Sequence, residues 1–194
     1  MCGIVGYIGE KDAFPIIIKG LQRLEYRGYD SAGVALQQDN DELTVFKKKG
    51  KVQDLLDFVG DADTSGSSGI GHTRWATHGP PSDVNAHPHT ARLGRLSIIH
   101  NGIIENYEAL RKSLEVSGHA FVSDTDTEVL IHLIEEVQNR TDSTICEAIQ
   151  IALREVEGAY AIVVMDANMP DLLVAARKSS PLVIGVGAEN EYYV

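Results

Sequence analysis

The chain opens with Met1-Cys2-Gly3-Ile4-Val5-Gly6-Tyr7-Ile8-Gly9. From Cys2 to Ile8 small and β-branched residues alternate, and Gly9 then ends the run, which is the pattern of a buried strand starting at the first residues. The amino terminus is therefore expected to be held, not frayed. Working outward, the period changes to that of a helix. Asp12 is placed to cap it, Pro15 falls in its first turn, Phe14, Ile17, Ile18, Leu21 and Leu24 form its apolar stripe, and Gly28 closes it.

Two strands over 31–36 and 43–49 follow, joined by the polar turn Asp39-Asn40-Asp41-Glu42 as a hairpin. A short helix over 52–59 comes next, and the small polar stretch 60–69 reads as a loop, not a domain boundary. A strand over 69–73 opens into an irregular segment, 76–89, carrying Pro80, Pro81 and Pro88; long loops of this kind usually bind something. A strand over 96–100 runs into Asn101-Gly102, and a helix over 107–117 ends at Gly118. Thr125 with Glu128, and Thr144 with Glu147, have capping-box spacing and start helices expected to reach about 137 and 156. Strands over 159–166, 172–177 and 182–186 complete the chain. This order lacks the regular alternation of a doubly wound parallel sheet and fits mixed sheets sandwiched by helices in one domain spanning 1–194.

At 194 residues, with 43% hydrophobic and 23% charged residues, the composition is that of a folded, water-soluble domain. The apolar runs 16–18 and 161–165 fall far short of the roughly 20 residues a spanning helix needs, so no membrane role is expected. The first residues lack the basic flank and cleavage pattern of a secretory signal, which places the chain in the cytoplasm. Acidic residues outnumber basic ones 28 to 17, for a net charge of -11 that repels a phosphate backbone; no nucleic-acid partner is expected. A reducing cytoplasm keeps Cys2 and Cys146 as thiols, to be explained singly.

If the initiator methionine is removed, Cys2 becomes the first residue and its own amine stands beside its thiol as a base, an established way to activate a nucleophile. The alternative is a small buried residue in a strand. Asn101-Gly102 reads either as a hairpin turn or as a side-chain amide and a backbone N–H that together stabilise an oxyanion. Arg74 is either a surface charge or a planar fork for a carboxylate; Asp126 either complements a helix dipole or pairs with an ammonium. Together the two would fix the backbone end of an amino acid and leave its side chain facing Cys2. Of seven histidines, five (His72, His78, His87, His89 and His100) lie near the irregular loop at spacings matching no zinc pattern, so no metal site is expected. The glycines form no nucleotide-binding motif, and no cofactor is expected.

Read together, Met1-Cys2-Gly3-Ile4-Val5-Gly6, the run from Glu25 through Gly33, and Gly71-His72-Thr73-Arg74-Trp75-Ala76-Thr77-His78-Gly79 form a signature. Asn85-Ala86-His87-Pro88-His89, His100-Asn101-Gly102-Ile103-Ile104-Glu105-Asn106 and Ser123-Asp124-Thr125-Asp126-Thr127-Glu128 extend it. The chain resembles the N-terminal class II glutamine amidotransferase domain of the isomerizing glutamine–fructose-6-phosphate aminotransferases, also called glucosamine-6-phosphate synthases. The resemblance implies an α+β fold, the four-layer αββα sandwich of the N-terminal nucleophile hydrolases. It also implies hydrolysis of L-glutamine through a Cys2 thioester, with the freed Cys2 amine as base, Asn101 and Gly102 as oxyanion hole, and Arg74, Thr77, His78 and Asp126 around glutamine. Arg27 is implied as an active-site neighbour, and Trp75 as a gate to an ammonia passage, where the residue alone reads as a core anchor. Members of this family continue into a sugar-phosphate isomerase region, so the fructose 6-phosphate site lies outside these residues; the full-length protein is implied to be a homodimer. A phosphoribosylamine-forming amidotransferase is the nearest rival, and a non-catalytic glutamine-binding domain follows if Met1 is retained.

Overall fold

The computed structural model describes residues 2–38, 42–188 and 190–194. Asp39, Asn40 and Asp41 of the expected hairpin turn lie outside the described residues, as does Met1. Strand β1 (Gly3–Ile8) leads into helix α1 (Ala13–Leu24), which tightens into a 3-10 turn (Glu25–Arg27) before Gly28. Then come β2 (Ser31–Gln37), β3 (Leu43–Lys49), α2 (Val52–Val59), β4 (Ser68–Arg74), β5 (His89–Thr90) and β6 (Leu96–Ile104). Helices α3 (Tyr107–Val116), α4 (Asp126–Thr141) and α5 (Ile145–Ala152) precede β7 (Gly158–Asp166), β8 (Leu173–Lys178), β9 (Gly185–Val186) and β10 (Tyr192–Tyr193).

The strands form a six-stranded sheet ordered β3-β2-β4-β1-β10-β9 and a four-stranded sheet ordered β5-β6-β7-β8, every pair of neighbours antiparallel. Because side chains alternate between faces, each central strand feeds two cores. On β2, Ala32, Val34 and Leu36 face α1 and α2, joining Ile17, Leu21 and Leu55 in an outer core, while Ala35 faces the other sheet. Ile70, Ile99, Val163 and Met165 meet Ala35 there and make the middle core. On β6 and β7, Ile98, Ile104, Ile162 and Val164 point the opposite way, onto Leu130, Ile134 and Ile149 of α4 and α5. Three cores between four layers give the αββα sandwich that the resemblance implies. Each fully buried Ile or Leu contributes about 1.5–3 kcal/mol.

Several boundaries differ from the sequence expectation. Asp12 precedes α1 but its side chain makes no capping bond. Thr125 caps α4 by accepting from the Glu128 N–H, yet the Glu128 carboxylate turns instead to the Val122 and Ser123 N–H groups, so only half of the expected box forms. The Thr144–Glu147 box is complete, but α5 stops at Ala152, short of 156. The last expected strand shrinks to Gly185–Val186, and the two-residue β10 is too short for any periodic signal. The hairpin reading of Asn101-Gly102 is wrong: β6 runs straight through it, because β7 supplies partners along its whole length, including Asn101↔Ala161 and Gly102↔Tyr160. Gly102 sits at φ 135°, and a Cβ there would meet the Ala159 carbonyl oxygen at 2.0 Å, so glycine is required for the strand to pass.

At one end the middle layer becomes polar, where His72, His87 and His100 are buried near His89. The His72 and His87 rings stack at 4.2 Å, and Thr127 Oγ1 lies 2.9 Å from both His87 Nε2 and His100 Nδ1. Burial pushes His72 down to about 3 and lowers His87, His89 and His100 as well, so all four are neutral in the folded protein.

Two outcomes are expected. A folded-state value below the unfolded 6.5 means that the unfolded chain binds more protons under that pH, so stability falls as pH drops from 6.5 towards about 3. Urea midpoints should already decline between pH 6.5 and 5, above the carboxylate range; a flat profile there contradicts neutral histidines. A Cβ on Gly71 would stand 2.3 Å from Ile17 Cγ2. Gly71→Ala should cost about 1–3 kcal/mol by overpacking, and combining it with Ile17→Ala should cost clearly less than the two single losses added, measured by denaturant unfolding.

Candidate active site

Cys2 stands one residue before β1 and shares its face with Ile4 and Gly6, the face turned towards the second sheet. Its Sγ accepts a hydrogen bond from the Trp75 backbone N–H at 3.1 Å. Burial pushes the thiol up, against the Trp75 N–H and the Arg74 guanidinium, which pull it down. The thiol is therefore held mainly protonated at neutral pH, and reaction at this sulfur needs a base.

Opposite Cys2, on β6, Asn101 donates from Nδ2 to the Cys2 carbonyl at 3.2 Å. Its Oδ1 lies 2.9 Å from His72 Nε2, which also lies 3.1 Å from the His100 carbonyl. Two acceptors at one ring nitrogen place the His72 proton on Nε2. His72 thus donates to Asn101 and fixes which end of its amide faces Cys2. Simple alternation reaches this residue: Ile70, His72 and Arg74 share one face of β4, and the first is in the middle core.

Arg74 is buried at 3% exposure, which removes the surface-charge reading. Its guanidinium donates to the carbonyls of His78 and Gly79, so it holds the 75–80 segment in place. Asp30, which sequence reasoning did not single out, anchors the other side: its carboxylate accepts from the Ala76 N–H and from Ser31 Oγ, and its N–H donates to the Arg74 carbonyl. Trp75 is 53% exposed and meets Tyr29 edge-on at 6.1 Å, so it is no core anchor. Asp126, at the start of α4, is 3% exposed; it accepts from the Ile104 N–H at 2.8 Å and lies 3.9 Å from His78 Nδ1.

A cavity of about 560 Å³ opens between these groups. Cys2, Arg27, Arg74, Trp75, Thr77, Asn101, Gly102 and Asp126 all line it; His78 does not, although its ring stands behind Asp126 against Tyr107. Glu105, Thr127, His87 and His100 also contribute, and no sequence motif had assigned them a place in the wall. The space suits a small amino acid, with the Arg74 guanidinium and the Asp126 carboxyl group on the wall beside Cys2 and Asn101.

The sequence profile of the glutamine amidotransferase domain matches residues 72–194. The isomerizing glutamine–fructose-6-phosphate aminotransferase of Bacteroides thetaiotaomicron is 59% identical over 100% of this chain, and that of Clostridium tetani is 52% identical over 100% of it. The chain spans about a third of those relatives, 31% of each. Among solved structures, the glutamine phosphoribosylpyrophosphate amidotransferase of B. subtilis superposes with a TM-score of 0.84 at 28% identity, over 100% of this chain and 41% of that one. That match agrees with the N-terminal nucleophile hydrolase sandwich described above. With more than half of its length matched by the family profile, this chain belongs to the family of glutamine amidotransferase domains.

Proposed function

We propose that this chain is a glutaminase that releases ammonia from the side chain of L-glutamine through a thioester at Cys2. The observation that carries the reading is that Cys2 and the Asn101 amide, which donates to the Cys2 carbonyl, line the wall of one cavity. Arg74 meets the α-carboxylate and Asp126 the α-ammonium, with Thr77 and Arg27 on the wall and His78 acting through Asp126 from outside it, so the side-chain amide faces Sγ. Once Met1 is removed, the Cys2 amine takes the thiol proton as sulfur attacks the amide carbon. The second Asn101 N–H and the Gly102 N–H stabilise the resulting oxyanion. The amine returns the proton to the leaving nitrogen, ammonia departs, and water then attacks the thioester to give glutamate and regenerate the thiol.

In the full-length protein we place a sugar-phosphate isomerase region outside these residues, which takes up this ammonia to convert fructose 6-phosphate to glucosamine 6-phosphate; the full-length protein is a homodimer. Exposed Trp75, whose N–H holds Cys2, gates the route between the two sites. High identity to the hexosamine enzymes over the whole chain favours this acceptor over phosphoribosyl pyrophosphate, the choice suggested by the structural neighbour. Among the described residues no helix is long and apolar enough to cross a membrane.

Cys2→Ala should abolish glutamate release while glutamine binding and the circular dichroism spectrum persist; surviving turnover would remove Cys2 as nucleophile. Asn101→Ala should lower kcat on the order of a hundred- to a thousandfold with a much smaller change in KM. Intact mass spectrometry after exposure to an electrophilic glutamine analogue should show a chain lacking methionine with one adduct on Cys2. Retained methionine and no adduct would instead identify a non-catalytic form.

A further inference from the structure

Away from the cavity, the connection between α3 and α4 carries His119, which packs against His132 on α4. The two Nδ1 atoms face one another at 3.0 Å, and Glu135 Oε2 lies 3.9 Å from His132 Nδ1. His119, His132 and Glu135 are 9%, 2% and 3% exposed. Each histidine has a carboxylate at its other nitrogen: Glu136 Oε2 is 3.0 Å from His119 Nε2, and Glu128 Oε1 is 3.7 Å from His132 Nε2. This is the arrangement by which outer carboxylates orient metal-binding imidazoles.

Proton bookkeeping sharpens the point. A carboxylate only accepts, so His119 carries its proton on Nε2 and leaves a lone pair on Nδ1. If neutral His132 donates from Nδ1 to that lone pair, its bare Nε2 faces the Glu128 carboxylate. If it donates from Nε2 to Glu128, two Nδ1 lone pairs face each other. Neither neutral arrangement satisfies every atom, whereas a cation between the Nδ1 atoms does. Charge points the same way: three carboxylates, Glu128, Glu135 and Glu136, surround the pair, offset by the Arg140 guanidinium on Glu136 and the Lys47 ammonium near Glu128.

We propose that His119 and His132, with Glu135, bind one divalent transition-metal ion of the zinc class through both Nδ1 atoms and a carboxylate oxygen. The three ligand atoms lie within 4.8 Å of one another. Tetrahedral zinc at its usual bond lengths wants ligand atoms about 3.3 Å apart, so Glu135 closes in slightly and water completes the shell. Glu135 also accepts from the Arg92 and Leu93 N–H groups, so the ion ties α4 to the β5–β6 turn and to the connection that presents Asp124 and Thr125. Its role is structural. Chain spacing hides the site, because His119 and His132 match no zinc motif.

The test uses the whole chain with Cys2→Ala and Cys146→Ser, which removes competing thiols. After chelator stripping, incubation with zinc and desalting, elemental analysis should find about one zinc per chain. The thermal midpoint should rise by roughly 5–10 °C at free zinc about a hundredfold above Kd. Cobalt in place of zinc should give visible d–d bands of a four-coordinate nitrogen and oxygen site. His119→Gln on the same background should abolish zinc retention and the midpoint shift. Less than a tenth of an equivalent retained, or undiminished binding in folded His119→Gln, overturns the proposal and leaves a shared proton as the cation. Should His119→Gln not fold, the cobalt spectrum of the parent decides, its absence being fatal.

Discussion

Two sheets that touch only through an apolar layer are free to slide, and a site built from both needs a polar tie that forbids it. The Asn101 carboxamide is that tie. It stands on β6 of the four-stranded sheet, accepts from His72 on β4 and donates to the carbonyl of Cys2 beside β1, both in the six-stranded sheet. Because an amide has distinct donor and acceptor ends, the pair of contacts fixes the rotation of the group as well as its position. Neutral His72 matters as much as Asn101, for a ring with its proton elsewhere would oppose the Asn101 oxygen.

The segment after β4 depends on this frame in turn. Arg74 continues the face that carries His72, and its guanidinium donates to the carbonyls of His78 and Gly79 while still lining the cavity. Asp30 fixes the same segment from the β2 side. The Trp75 N–H thereby arrives at the sulfur, and Thr77 reaches the cavity wall. Reactive groups here sit on short segments pinned at both ends, which limits the ordering cost of binding a small substrate.

Much of this was legible in the chain. Alternation from Cys2 to Ile8 revealed the first strand, the three-residue spacing of Thr144 and Glu147 revealed a cap, and the motifs around Cys2, Arg74 and Asn101 marked residues that the fold brings to one cavity. The failures have local causes. Asn-Gly is a strong turn signal in isolation, but a full-length partner strand outweighed it at 101–102. Glu128 has the spacing of a capping residue, yet two free N–H groups at Val122 and Ser123 compete for its carboxylate. Buried histidine contacts join residues far apart in sequence, such as His87 with Thr127, and spacing rules do not see them.

The strand order also has a bearing on synthesis. β1 is flanked by β4 and by β10, with Tyr7 opposite Tyr193, so the first strand made takes one of its two partners from residues far along the chain. A ribosome delivers those residues long after β1. Until then the nascent strand has an open edge beside Cys2, and closing that edge is a late event in the life of the new chain.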